Sequence, residues 1–175
     1  MSISNIFVTG SIHIGKSTVI AKVMSAFPGW KINGFRTVPI LQNKKRNGFL
    51  FTSLDGQQQC FAHINLNTSD QYDIYHFDLT VFDELGVTTL ENALLTSDLI
   101  IMDEIGAMER KAKKFQKALM KCLDSPILVL GAFQKRAKWF EDALLTRHDT
   151  KIFPVDETSR NAVPQAIISL IFNSL

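Results

Sequence analysis

Cysteine is almost missing from this chain. Its 175 residues include two, Cys60 and Cys122, far apart and without the paired spacing of a zinc site or a disulfide scaffold, so both read as packing residues in a reducing compartment. No apolar run approaches the length of a bilayer crossing, and residues 1–4 lack the basic and long apolar segments of a signal peptide. The expectation is a cytoplasmic protein with no membrane partner. An excess of one charge is missing too: the net charge of +2 is too small to argue for nucleic acid by itself. Repeats, low-complexity tracts and linkers are also absent. With 46% apolar and 21% charged residues, the composition is that of an ordinary globular protein, and the length suits a single domain over residues 1–175. Nothing in the patterning assigns an oligomeric state.

What is present is concentrated at residues 10–18, GSIHIGKST, which match the phosphate-binding pattern G-x-x-x-x-G-K-[ST] at every fixed position. The apolar run Ile6-Phe7-Val8 ahead of it predicts a buried strand. Residues 19–27 behind it predict a helix with Val19, Val23 and Phe27 on one face, so the motif has its strand, loop and helix. Gly10 and Gly15 permit backbone conformations and close approach that a Cβ blocks. Successive N–H groups from Ser11, Ile12, His13 and Ile14 through to Thr18 can then face phosphate oxygens, with the positive end of the helix dipole behind them. Lys16 is the expected contact to the β and γ phosphates, and the Ser17 hydroxyl a ligand of Mg²⁺. His13 holds a variable position, either facing solvent or within reach of a γ phosphate.

A second constellation lies at residues 99–109, LIIMDEIGAME. The run Leu99-Ile100-Ile101-Met102 predicts a strand buried on both faces. Asp103 at its carboxyl end is the Walker B arrangement, able to hold Mg²⁺ at the mouth of the sheet together with Ser17. Glu104, one residue on, is placed to polarise a water for attack on the γ phosphate. Asp103-Glu104-Ile105-Gly106 also matches the D-x-x-G of switch GTPases, as does Asp83-Glu84-Leu85-Gly86 inside a helical pattern. No N-K-x-D accompanies either, since Asn43-Lys44-Lys45-Arg46 lacks the aspartate, so no base selectivity is expected.

The remaining pattern alternates strands and helices. Residues 30–41 are extended in character, residues 43–48 form a polar turn ending in Asn47-Gly48, and residues 49–52 and 58–64 return on either side of Asp55-Gly56. Together these predict a β-meander inserted after the first βα unit. A helix is expected from Thr80. Another carries the stripe Met108, Ala112, Phe115, Leu119 and Cys122, with Lys111, Lys113, Lys114, Lys117 and Lys121 on its other face. Strands at 127–130 and 151–153 flank a helix at 137–145, and Asp156 is expected to cap a last helix carrying Val163, Ile167, Leu170 and Ile171. The sum is an α/β fold with a mainly parallel sheet flanked by helices.

These motifs resemble the THEP1-type nucleoside-triphosphatase family over nearly the whole chain. The most specific element is D-E-I-G-x-M-E, here Asp103, Glu104, Ile105, Gly106, Met108 and Glu109. Gly34-Phe35-Arg36-Thr37 and Arg46-Asn47-Gly48-Phe49 resemble the family's G-F-x-T and R-x-G-F, and Lys151-Ile152-Phe153 followed by Arg160 resembles its strand and E-N-R. The resemblance implies a RecA-like, ASCE-type P-loop core. It also implies Mg²⁺-dependent, base-tolerant hydrolysis of ATP, GTP and other nucleoside triphosphates to the diphosphate and phosphate, with Arg160 at the nucleotide. The chain departs from the pattern at Ala107, where lysine is frequent, at Ser159 for the asparagine of E-N-R, and at Ala132-Phe133-Gln134 for Thr-Ile-Pro. Those departures touch the base or second-substrate contact and leave the Walker pairs intact.

Two other readings stand beside hydrolysis. A nucleoside or nucleotide kinase would use the same core, with Lys135, Arg136 and Lys138 as a lid. A non-enzymatic NTP-binding module for RNA or protein would use Lys44, Lys45, Arg46 and the lysine-rich helix face. Spacing leaves Arg110, Arg136, Arg147 and Arg160 as candidates to steady transition-state charge, and without one engaged turnover is expected to be slow, roughly 10⁻⁴ to 10⁻² s⁻¹. Since Lys16 meets phosphate charge both in the bound nucleotide and as the γ group departs, Lys16→Ala should abolish hydrolysis and weaken nucleotide binding. Unchanged turnover in a correctly folded Lys16→Ala protein would remove the P-loop assignment.

Overall fold

Every apolar run read as a strand enters one sheet. The structure, a computed structural model, describes residues 3–174. Strand β1 (Asn5–Gly10) leads through the glycine loop into helix α1 (Lys16–Ser25). Strands β2 (Ile32–Gln42), β3 (Lys45–Ser53) and β4 (Gln58–His63) follow, then the short β5 (Gln71–Tyr72) and β6 (Tyr75–Phe77). Helix α2 (Leu79–Val81) runs through a π-helical turn at Phe82–Gly86 into α3 (Val87–Thr96), and β7 (Leu99–Ile105) comes next. A 3₁₀ turn at Met108–Lys111 precedes α4 (Lys113–Leu123), and β8 (Leu128–Gln134), α5 (Lys138–Leu145), β9 (Thr150–Val155) and α6 (Val163–Phe172) complete the order. Among the described residues no helix is long and apolar enough to cross a membrane.

The strands lie in the order β5-β6-β4-β3-β2-β7-β8-β1-β9. From β2 to β9 the pairings are parallel, and from β2 to β5 they are antiparallel. Alternation along each strand splits the core in two. Ile6, Val8, Ile101, Leu130 and Ala132 face α1 and α6 and meet Val19, Ile20, Val23, Ile167 and Ile171. Phe7, Phe35, Phe51, Ile100, Met102 and Phe133 face the other helices, where Phe82, Phe115 and Phe140 await them. This second core is built from rings in contact, including Phe35 on Phe51 at 4.9 Å and Phe82 on Phe115 at 5.3 Å. It spans the junction between the parallel and antiparallel parts.

Three local expectations fail, each for a physical reason. The hairpin between β2 and β3 turns at Asn43 and Lys44, whose φ values of 50° and 63° are those of a two-residue type I′ turn. Asn47-Gly48 instead lies inside β3, where Gly48 is paired with Ile40 and His63 and a Cβ would overlap the Ala62 carbonyl. Its glycine serves close strand approach. Met108 sits half-buried on the 3₁₀ turn and not on α4, although Ala112, Phe115, Leu119 and Cys122 are buried as the stripe requires. Asp156 does not cap α6. Its Oδ1 accepts from the N–H groups of Thr158 and Ser159 at 2.9 and 2.8 Å, closing a turn, and α6 begins at Val163 with a proline in its first turn.

The second D-x-x-G match acquires a packing role. Asp83 lies in the π-helical turn, and its Oδ1 accepts from the Phe115 N–H at 3.0 Å, satisfying one open donor in the first turn of α4. Removing such a cap costs about 1 kcal/mol. Asp83→Ala should therefore lower unfolding stability by that amount in a urea titration and leave nucleotide turnover unchanged; a loss of turnover would give this acid a chemical role.

Candidate active site

Parallel strands deliver their carboxyl ends to one edge of the sheet, and the predicted residues arrive there together. The loop after β1, Thr37 of β2, Glu104 of β7 and Gln134 of β8 border one cleft of about 360 Å³. Within the loop, His13 and Gly15 take left-handed backbone conformations, φ 64° and 107°, which turns successive N–H groups inward as an anion nest. The Ile14 N–H bonds back to Ser11 O at 3.3 Å, and α1 starts with Val19 N–H on Gly15 O at 3.0 Å. Gly10 has a different reason from the phosphate approach expected of it: a Cβ there would overlap the Val155 carbonyl of β9.

Lys16 is 7% exposed. Its ammonium donates to Gly10 O at 3.3 Å and Ser11 O at 3.1 Å and lies 2.9 Å from Glu104 Oε1. Beside it, Ser17 Oγ donates to Asp103 Oδ1 at 3.0 Å. Burial above all pushes the Asp103 carboxyl up from 3.8 to about 6; the Ser17 hydroxyl holds it down, the Glu104 charge pushes it up, and Arg36 and Lys16 pull it down. A buried carboxylate whose charge is poorly compensated, next to a hydroxyl, is a donor set that fits a hard divalent cation. Among the described residues no three His, Cys, Asp or Glu side chains gather into a metal-holding group. A Mg²⁺ ion here would complete its shell with water and phosphate oxygens, as this ion commonly does.

Glu104 is aimed by the strand. The register between β7 and β8 slips between Asp103 and Ile105, a bulge of the kind that redirects a side chain, and the Asp103–Glu104 peptide is cis. Thr37 Oγ1 donates to the Glu104 carbonyl at 3.2 Å, fixing the bulge to β2.

The other predicted residues divide. Ile105 is fully buried in the ring-rich core and does not line the cleft. Gly106 borders a narrow hollow behind Glu104, and its carbonyl accepts from Trp139 Nε1 at 3.0 Å. Arg160 stands on the far flank of the loop, beside His13, Ile14, Gly15 and Thr18, around a separate hollow of about 340 Å³. Arg136 borders the cleft. Arg147 is removed from consideration: it is ion-paired with Asp124 and Asp149 at 2.6 and 2.8 Å, next to the amino ends of β1 and β9.

Sequence reasoning missed one residue that borders the cleft, Arg46, and two that stand behind it, Arg36 and Glu109. Arg46 was grouped with the solvated hairpin tip, but its Nη2 donates to His13 Nε2 at 2.9 Å and its guanidinium stands 5.4 Å from the Phe49 ring centre. Arg36 pairs in register with Asp103. Glu109 is 2% exposed, and its Oε2 has no hydrogen-bond partner. The signal for all three was the resemblance itself, since each lies in a quoted motif without a role attached.

Comparison with known proteins finds relatives over most of the chain. A family profile described as NTPase matches residues 5–168. The chain is 33% identical to the nucleoside-triphosphatase THEP1 of Thermotoga maritima over 166 residues, which span 95% of this chain and 94% of that protein. With the protein of that name from Methanosarcina acetivorans, identity is 32% over 97% of this chain and 98% of the relative. The fold superposes on the solution structure of a human cancer-related nucleoside triphosphatase with a TM-score of 0.77 at 27% identity, covering 98% of both chains. Against the crystal structure of THEP1 from the hyperthermophile Aquifex aeolicus the TM-score is 0.83 at 23% identity, over 95% of this chain and 98% of that one, a likeness of fold alone.

Glu109 generates a pH dependence. Burial pushes its carboxyl up from 4.5 to about 7, opposed by the backbone N–H groups of Glu109 and Gly106 and aided by the Glu104 charge. A folded-state value above the unfolded one gives stability that is complete below 4.5 and is lost as pH rises toward 7, by about 3 kcal/mol in all. Asp103 acts in the same direction between 3.8 and about 6. Glu109→Gln removes only the first contribution. Its urea midpoint should exceed that of the unaltered chain at pH 8 and match it near pH 4; a difference that does not change with pH would mean that Glu109 stays ionised in the folded chain.

Proposed function

The chain belongs to the THEP1-type nucleoside-triphosphatase family, and from that membership we propose that its cleft hydrolyses ATP, GTP and other nucleoside triphosphates to the diphosphate and phosphate with Mg²⁺. The observation that carries the reading is the 2.9 Å approach of Glu104 Oε1 to Lys16 Nζ. It brings an acid to the spot where a P-loop lysine meets the γ phosphate.

The inward-turned N–H groups of the loop hold the phosphate chain. A γ phosphate arriving at Lys16 competes with the Gly10 and Ser11 carbonyls and with Glu104 for the ammonium. Glu104, released from that contact, accepts a hydrogen bond from a water and takes its proton as the water oxygen bonds to phosphorus. The bond from phosphorus to the departing diphosphate breaks, and the charge that develops is met by Lys16 and the loop N–H groups. Ser17 and Asp103 would hold Mg²⁺, which would supply further charge neutralisation on the phosphate oxygens. Of the two arginines that border the cleft, Arg46 rests on His13 of the loop and Arg136 lies over the Tyr72 ring, and the latter's engagement away from the loop supports slow turnover. Recognition through backbone and phosphate, without a base-reading motif, supports base tolerance.

Finer features of the fold carry the same reading. One strand, β8, separates β1 with its P-loop from β7 with its Asp103-Glu104, which supports the RecA-like, ASCE-type core. The antiparallel run β2, β3 and β4 supports the inserted meander. Two free thiols support a reducing, cytoplasmic setting.

Glu104→Gln tests the central step. The amide keeps the size of the side chain but cannot take a proton, so nucleotide affinity should survive and single-turnover hydrolysis should fall by about 10² to 10⁴. Full hydrolysis with normal binding would sink the water-activating role and turn the reading to phosphoryl transfer.

A further inference from the structure

The cleft does not end at Glu104. Glu104, Thr37 and Gln134 also border a narrow hollow of about 30 Å³ beneath Gly106, and Tyr72, Ala107 and Met108 are shared in turn by a third hollow of about 320 Å³. Arg136 borders both the first and the third. The three hollows therefore share walls in succession, from the P-loop past Glu104 to the space lined by Tyr72 and Trp139.

We infer that this outer hollow binds a second ligand, an anion carrying an aromatic ring, of the nucleoside monophosphate class. The inference rests on the P-loop reading for its orientation and on the hollow itself for its chemistry. Its walls include the rings of Tyr72 and Trp139, and Trp139 is held in place through its indole N–H on the Gly106 carbonyl. Aromatic faces of this kind stack on bases of any identity.

Its charge is of one sign. No acidic residue lines the hollow, while four cations do. Lys111 is paired with Asp70 and Lys138 with Glu141. Arg110 and Arg136 have no acidic partner among the described residues. Arg136 lies over the Tyr72 ring at 5.9 Å, which leaves the Arg110 guanidinium and the Trp139 ring to meet a phosphate monoester on a planar base, because the planar fork of arginine meets phosphate with paired hydrogen bonds. The volume stands at the small end of ligand pockets. Space around Arg160 and Thr18, on the opposite flank of the loop, leaves the triphosphate's own base a separate place.

The experiment uses a Trp30→Phe chain, in which Trp139 is the remaining tryptophan; Trp30 packs on Phe27 at 4.5 Å, a contact that phenylalanine retains as a ring on a ring. With the P-loop saturated by a non-hydrolysable triphosphate analogue and Mg²⁺, AMP, GMP, CMP and UMP are titrated and Trp139 emission is followed beside equilibrium dialysis. At least one monophosphate should bind with one equivalent per chain and change the emission. Arg110→Gln should weaken that binding about tenfold or more, the loss of a charge-assisted hydrogen bond, with analogue affinity unchanged. No binding of any of the four at millimolar concentration overturns the inference, as does binding indifferent to Arg110→Gln. A titration on the Lys16→Ala chain without the analogue keeps the two readings apart: monophosphate binding persists if the hollow is a site of its own, and its loss assigns the binding to the P-loop and overturns the inference.

Discussion

Two polar contacts between strand ends that are not neighbours hold the mouth of this sheet. Ser17 reaches Asp103 and Lys16 reaches Glu104, across the width of the intervening β8. The strand between them leaves room for the first contact. On the face toward α1, Asp103 and Val8 both stand in register with Ala132 of β8, and a methyl group is small enough to let the carboxylate pass over it to the helix. The burial that follows is severe, 3% exposure for Asp103 and 7% for Lys16, and groups so placed must find partners because an unpaired buried charge costs several kcal/mol.

The ring-rich core carries that constraint outward. Phe35 and Phe51 stack between β2 and β3, and Phe115 meets both from α4. Alternation along β3 then leaves Phe49 on the face of Phe51, stacked against Phe61, and Arg46 at the start of the strand lies over Phe49 with its carbonyl taking the Tyr75 hydroxyl at 3.3 Å. The position of a guanidinium at the P-loop is thus set by packing some distance away. The antiparallel strands do more than extend the sheet, because they form one wall of the cleft.

What the sequence made legible follows from range. The P-loop, the strand into Asp103 and the buried stripes of α1 and α4 are properties of contiguous residues, and all were readable from spacing. Arg46, Arg36 and Glu109 were not, because their places depend on which strands pair and on a 3₁₀ turn that folds Glu109 inward. Asn47-Gly48 failed as a turn signal since a glycine required by a neighbouring strand has the same letter as one required by a positive φ. Asp156 failed as a helix cap because the hydrogen bonds that it makes close a turn seven residues before the helix starts. Arg147 failed as a chemical candidate because spacing says nothing about which end of the sheet an arginine reaches.

The two contacts at the mouth differ in how easily they exchange, and this difference gives the site its direction. Asp103 and Ser17 are joined inside the protein, where losing the partner leaves a buried carboxylate unsatisfied. Glu104 is a quarter exposed, so its carboxylate can regain water when it leaves the lysine, which lowers the cost of parting the pair. Phosphate oxygens offer the same ammonium charge-assisted hydrogen bonds worth about 1.5 to 3 kcal/mol each. In the proposed hydrolysis Lys16 therefore changes partners when phosphate arrives, while Asp103 and Ser17 stay. Under that proposal the exchange would release the acid beside the γ phosphorus only when the group to be attacked is in place, so that binding and activation of the nucleophile would be coupled through one lysine.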